Sequence, residues 1–200
     1  MKPTISKITD EWIKDKAPCQ EALDWWDKKE LNPIKILKLL IKAKKYVWAN
    51  WFIVRVMEYK DYVSYAVFAA EQVIDIYEKK YLEDKRPRQA IEAAKKCINN
   101  PSKENKKAAA YAAGAAAYAY AAAYTAAYAA GAADCAAAAY AAAYAADAAD
   151  CVAAAYAAAY AADAAAYTAA YAAGADDADD AAIRLKILKY GMRLLKNKES

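Results

Sequence analysis

The residues best suited to chemistry lie in two places. In DKRPRQAIEAAKKCI, residues 84–98, Arg86 and Arg88 flank Pro87. Proline suits the first turn of a helix, where backbone N–H groups have no partner. Two guanidiniums beside such a turn make an anion site. The same residues also admit an internal pairing, with Arg88 reaching Glu92 one turn on and Asp84 capping the helix. The second place is an array of Ala, Tyr and Asp. Tyr140, Tyr144 and Asp147, then Tyr156, Tyr160 and Asp163, repeat the spacing i, i+4, i+7, which is a single stripe of a helix. Phenol faces stack on flat ligands and phenol hydroxyls hydrogen-bond them, so the stripe reads as a ligand groove. Its plainer reading is a seam of packed Ala and Tyr, with the two carboxylates accepting bonds from tyrosines or lysines.

Other chemistries are excluded by what is missing. The chain has no histidine, which removes Ser-His and Cys-His nucleophile pairs and the commonest metal ligand. Its four glycines do not cluster into a phosphate loop. Cys19, Cys97, Cys135 and Cys151 have no CxxC spacing and read as free thiols of a reducing cytoplasm. Asp176, Asp177, Asp179 and Asp180 fit the first turns of a helix better than a cation site. The expectation is a non-catalytic protein with no cofactor and no metal.

The elements that would position these groups are helices. Pro and Gly together make up 9 of 200 residues, too few for a turn-rich β fold. The expected fold class is all-α, a single domain over 1–200. Residues 1–100 form short amphipathic helices, and 101–200 form an Ala-rich array and a basic closing helix. Pro18 suits a first-turn position before Leu23 and Trp26. Asn32 and Pro33 mark a helix start, with Ile34, Leu37, Leu40 and Ile41 as its apolar face. YVWANWFIVRVMEY is apolar nearly all round and belongs at the centre. DYVSYAVFAAEQVIDIYEKKY opens on Asp61 and runs to Lys80, and the helix begun near Pro87 ends at Asn99 and Asn100. In the closing helix Ile183, Ile187, Tyr190 and Leu194 are the expected buried face.

Residues 108–182 contain 48 Ala in 75 positions and no Pro, so they are expected to be helical. One continuous helix would be roughly 110 Å long. The Tyr blocks recur every 16 or 17 residues, which rotates the stripe by roughly 160° each time. Either the helix alternates its Tyr face or it turns between blocks; at least two turns are expected, near Asp134, Asp150 and the glycines.

Charge is segregated. Residues 1–107 carry 23 bases and 16 acids, residues 108–182 carry 8 acids and no base, and residues 183–200 carry 6 bases and one acid. Such a chain is either self-complementary or presents a basic surface to an anionic partner. The long apolar run in the array is Ala and Tyr rather than Leu, Ile and Phe, so no membrane span is expected. The N-terminal residues show no apolar signal-peptide core, which points to the cytoplasm.

DKRPRQAIEAAKKCI, the array after it, the closing IRLKILKYGMRLL helix and the early CQEALDWW stretch together resemble an immunity-protein family of bacteria and phages. RPRQAIEAA is the most specific part. Family members often hold Arg or His in the array, and this chain holds neither there. The resemblance implies a protein that neutralises something, and the absence of catalytic groups makes stoichiometric binding the expected means. Two targets are open: a toxic effector protein, gripped by Trp25, Trp26, Trp48 and Trp51 or by the lysine-rich helix face, or a small nucleotide-like immune signal, held by Tyr rings and by Arg86 or Arg88. A structural alternative is an oligomerising helical scaffold, and a homo-oligomer is expected. Nucleic acid is disfavoured because the acidic array would repel a phosphate backbone.

Overall fold

The computed structural model describes residues 7–26, 30–72, 74–109 and 177–197. The fold is all-α, and no strand occurs among the described residues. The elements are α1 (Asp10–Lys16), α2 (Gln20–Trp25), α3 (Pro33–Lys42), α4 (Tyr46–Val56), α5 (Tyr59–Glu71), α6 (Ile74–Lys80), α7 (Arg86–Asn99) and α8 (Asp177–Lys196). Residues 103–109 are also helical. The expected helices and turns between 110 and 176 lie outside the described residues. No described helix is long and apolar enough to cross a membrane.

Local chemistry sets the starts of α1 and α3. Thr9 caps α1, its hydroxyl accepting from the Trp12 N–H at 3.1 Å, and Asp10 and Glu11 occupy the first turn. Asn32 caps α3 by accepting from the Lys35 N–H at 3.0 Å, with Pro33 next. Pro18 precedes Cys19, the N-cap of α2, so it sits outside the first turn expected for it. The helix expected to open on Asp61 begins earlier, at Tyr59, and Asp61 is buried inside the first turn.

That helix also does not run to Lys80. It ends at Glu71, where the Gln72 side-chain amide donates to the Phe68 carbonyl at 2.9 Å. α6 then begins at Ile74. The break lets Ile74 and Tyr77 enter the core, both 1% exposed, while Glu78 comes beside α7. A straight continuation of α5 would follow one face only.

α3 packs on α4, α5 packs on α6 and α7, and α8 lies against α3, α4 and α5. The core is one cluster built around Leu37, Ile53, Tyr65, Ile91, Ile187 and Leu188. Inside it, the Tyr65 hydroxyl donates to Asn50 Oδ1 at 2.9 Å, which satisfies two polar groups in an apolar surround. Ile36 joins the buried face of α3, whereas Ile41 is only partly buried.

α8 meets the core through Ile187, Leu188, Gly191 and Leu195. Of the expected face, Ile187 is buried; Tyr190 and Leu194 are partly buried against the core, and the Ile183 side chain lies outside the description. The helix is turned so that its glycine faces α4 and α5. The Tyr190 ring stacks on Phe68 with centroids 4.0 Å apart.

Candidate functional site

The start of α7 uses its arginines internally. Arg86 Nε and Nη2 donate to both oxygens of Asp84, at 2.9 and 2.5 Å, and the Arg86 backbone N–H donates to Asp84 Oδ1 at 3.1 Å. Asp84 therefore caps the helix, as its place in the sequence suggests. Its other oxygen accepts from the Tyr77 hydroxyl at 2.7 Å. Arg88 forks onto Glu78, with Nε and Nη2 at 2.9 and 2.6 Å, and Nη2 also reaches Asp75 at 3.2 Å. The partner expected for Arg88, Glu92, instead accepts from Lys95 at 2.8 Å, and Lys95 reaches Glu71 at 2.7 Å. Both guanidiniums thus face carboxylates of the fold, and α7 is clamped to α5, α6 and the turn before it.

The pairs leave electrostatic marks. The hydrogen bonds from Arg86 and then Tyr77 hold Asp84 well below the usual carboxylate range against the opposing effect of burial. The bonds from Arg88 lower Glu78 in the same way. Burial, then the bond to Asp84, pushes the Tyr77 phenol up. A depressed carboxylate contributes stability that is present above its ordinary value, 3.8 for Asp84 and 4.5 for Glu78, and lost as pH falls through the folded value. A raised phenol contributes stability present below its ordinary value of 10 and lost as pH rises through the folded one. The melting temperature is expected to stay level across the neutral range, where no histidine titrates, and to fall in acid. Asp84→Asn should melt below the parent chain at pH 7, and the two curves should converge at acid pH. A constant offset at every pH would contradict this assignment.

Arg88→Ala should likewise lower stability, because it strands Glu78 and Asp75. Arg88 is 34% exposed, so the loss is about 1 kcal/mol, or roughly 2–4 °C in melting temperature. Arg88→Lys should recover only part of it, since an ammonium cannot reproduce the fork. Calorimetry of the two variants decides the point; an unchanged melt in both would show the clamp to be idle.

A different site assembles at the other end of the chain. The Ile8 N–H donates to the Leu31 carbonyl at 2.8 Å, which brings the approach to α1 against the start of α3. The Trp26 indole N–H donates to the Glu30 carbonyl at 3.0 Å, and Glu30 Oε1 accepts from the Asn32 N–H at 2.9 Å, which ties the end of α2 to the start of α3. Between α1, α2, α3 and α4 these contacts leave a half-open apolar cavity of about 60 Å³. All five tryptophans of the chain, Trp12, Trp25, Trp26, Trp48 and Trp51, line it. Ile8, Leu23, Ile36, Leu40 and Phe52 complete the walls. Trp25 meets Trp48 edge-on with centroids 6.1 Å apart, and Trp12 meets Phe52 at 5.8 Å. Lys45 Nζ lies 3.8 Å over the Trp48 ring, and the Arg55 guanidinium lies 4.0 Å over Trp51.

Of the expected protein-contact residues, the structure therefore brings Trp25, Trp26, Trp48 and Trp51 together. Trp12 is an addition. Its signal in the sequence is the helix start around it, Thr9 followed by Asp10 and Glu11. Tyr140, Tyr144, Asp147, Tyr156, Tyr160 and Asp163 lie outside the described residues. A third feature is the exposed stripe of Lys186, Lys189, Arg193 and Lys196 on α8, which borders a shallow surface cleft with Met192.

No family model matches the chain, and no curated protein or solved structure matches it either.

Proposed function

We propose that the chain is a non-catalytic, immunity-type protein that neutralises an effector protein by stoichiometric binding, with the tryptophan cavity as its contact. The observation that carries this is the convergence of all five tryptophans on one half-open cavity. Tryptophan is the residue most enriched at binding hot spots, and such residues cluster around pockets that a partner's anchor fills. At the tryptophan cavity, size favours a protein side chain over a small molecule. Small-molecule sites are typically about 300–1,000 Å³. A cavity of about 60 Å³ suits one apolar side chain of a protein. The pairing of Arg86 and Arg88 with carboxylates also speaks against phosphate capture at α7. The resemblance at RPRQAIEAA supplies the neutralising role.

The test is co-production with a panel of toxic bacterial effectors, scored by cell survival at graded expression ratios. Stoichiometric neutralisation gives protection that breaks near equimolar amounts. Protection at far lower ratios would mean turnover and would overturn the proposal.

The small-signal reading keeps one supporting observation, the four exposed cations along α8. Incubation with nucleotide extracts, filtration and denaturation addresses it. Release of an intact nucleotide supports it, and Lys189→Glu with Arg193→Glu should then abolish retention.

A further inference from the structure

We infer that the cavity and the α3–α4 turn beside it form one docking surface for an acidic amphipathic helix of a partner protein. The inference rests on the binding role proposed above and adds the partner's chemistry. The first ground is exposed apolar surface. Among the described residues the exposed large apolar side chains are Trp25, Leu39, Val47 and Leu82, and three of the four sit at the end of α2 or on the α3–α4 hairpin. The second is charge. Lys42, Lys44 and Lys45 follow one another through the turn, and none has a carboxylate within salt-bridge distance among the described residues. Lys45 lies on the face of Trp48, and Trp25 meets the same ring, so the cationic turn and the apolar cavity share a wall.

These grounds select the occupant. A cationic ligand is disfavoured, because Lys45 and Arg55 already cover two of the indole faces. The described residues offer no strand edge to an extended peptide, so the applicable mode is a helix laid across a groove between helices. One large apolar side chain of that helix would enter the cavity. Carboxylates one turn away on either side would meet Lys42, Lys44 and Lys45.

The experiment uses the full chain and a synthetic 16-residue peptide, tryptophan-free, with a Leu/Phe stripe flanked by Glu. Its control replaces every Glu by Lys. Because every tryptophan lines the cavity, intrinsic fluorescence reports occupancy directly. The expected result is saturable one-to-one binding of the acidic peptide with a shifted tryptophan emission. Binding should weaken about tenfold in Lys42→Glu/Lys45→Glu and with the basic peptide, roughly 30-fold in Trp25→Ala, and it should weaken further at high salt. Lys42→Gln/Lys45→Gln, the gentler pair, should weaken it less, and melting curves confirm that each variant folds. Equal binding of both peptides, or of neither, overturns the inference. So does a concentration-dependent dimer in light scattering that the Lys→Glu pair dissolves, since the occupant is then a second copy. If Trp25→Ala abolishes protection in cells while no acidic peptide binds, the partner chemistry fails and the proposed function stands. If the peptide binds as expected while Trp25→Ala still protects, the docking surface stands and the proposed function fails.

Discussion

Gly191→Ala should destabilise the protein, although alanine is the better helix former. A Cβ at this position would sit 2.7 Å from Ile53 Cδ1 and 2.7 and 2.8 Å from Cε2 and Cδ2 of Tyr65. Ile53 and Tyr65 are both fully buried, and the Tyr65 ring is pinned by its hydrogen bond to Asn50. The ring cannot retreat without losing that bond, so α8 itself must move off α4 and α5. Overpacking of this kind costs about 1–3 kcal/mol, offset by about 1 kcal/mol of helix propensity. With Ile53 and Tyr65 both fully buried, the cost falls in the upper half of that range, about 2–3 kcal/mol, so the expected net loss is about 1–2 kcal/mol, or roughly 2–8 °C in melting temperature. Gly191→Leu should cost far more and leave little folded protein. Ile53→Val removes the clashing Cδ1, so the double variant Gly191→Ala/Ile53→Val should lose less than the sum of its parts. Thermal melting of the three variants measures this cycle. A Gly191→Ala chain as stable as the parent would show that α8 does not pack this closely.

On the proposed neutralising function, Trp25→Ala should abolish protection while leaving the fold almost unchanged. Trp25 is 36% exposed, the most open of the tryptophans, so its truncation removes little core. An interface tryptophan of the hot-spot kind contributes at least about 2 kcal/mol, which is roughly 30-fold in affinity. At the expression ratio where the parent chain just protects, that loss returns cells to full sensitivity. Trp25→Phe should restore much of the contact, because it keeps an aromatic edge toward Trp48. A remote control is Leu82→Ala, an exposed apolar residue outside the cavity, which should protect normally. The decisive comparison is survival against melting temperature for the three variants. Full protection by Trp25→Ala with an unchanged melt would remove the cavity from the function.

What the sequence by itself determined here is what acts within one helical turn. Asn32 before Pro33 places the start of α3, Pro87 with Asp84 places the start of α7, and the acids at the start and bases at the end of the closing helix match its dipole. The all-α class follows from the scarcity of Pro and Gly and the abundance of Ala. What only the tertiary structure decided is which of several local options each side chain takes. Arg88 had a partner at i+4 in Glu92, yet α6 delivers Glu78 and Asp75 from ten and thirteen residues away, across the turn between α6 and α7. Tyr190 and Leu194 had the right spacing for a buried stripe, yet α8 turns Gly191 inward, because a residue without a side chain lets it approach Ile53 and Tyr65. The five tryptophans are spread over 40 positions and share no periodicity. Their meeting depends on how α1 to α4 cross, which is set by packing between helices and not by any spacing along the chain.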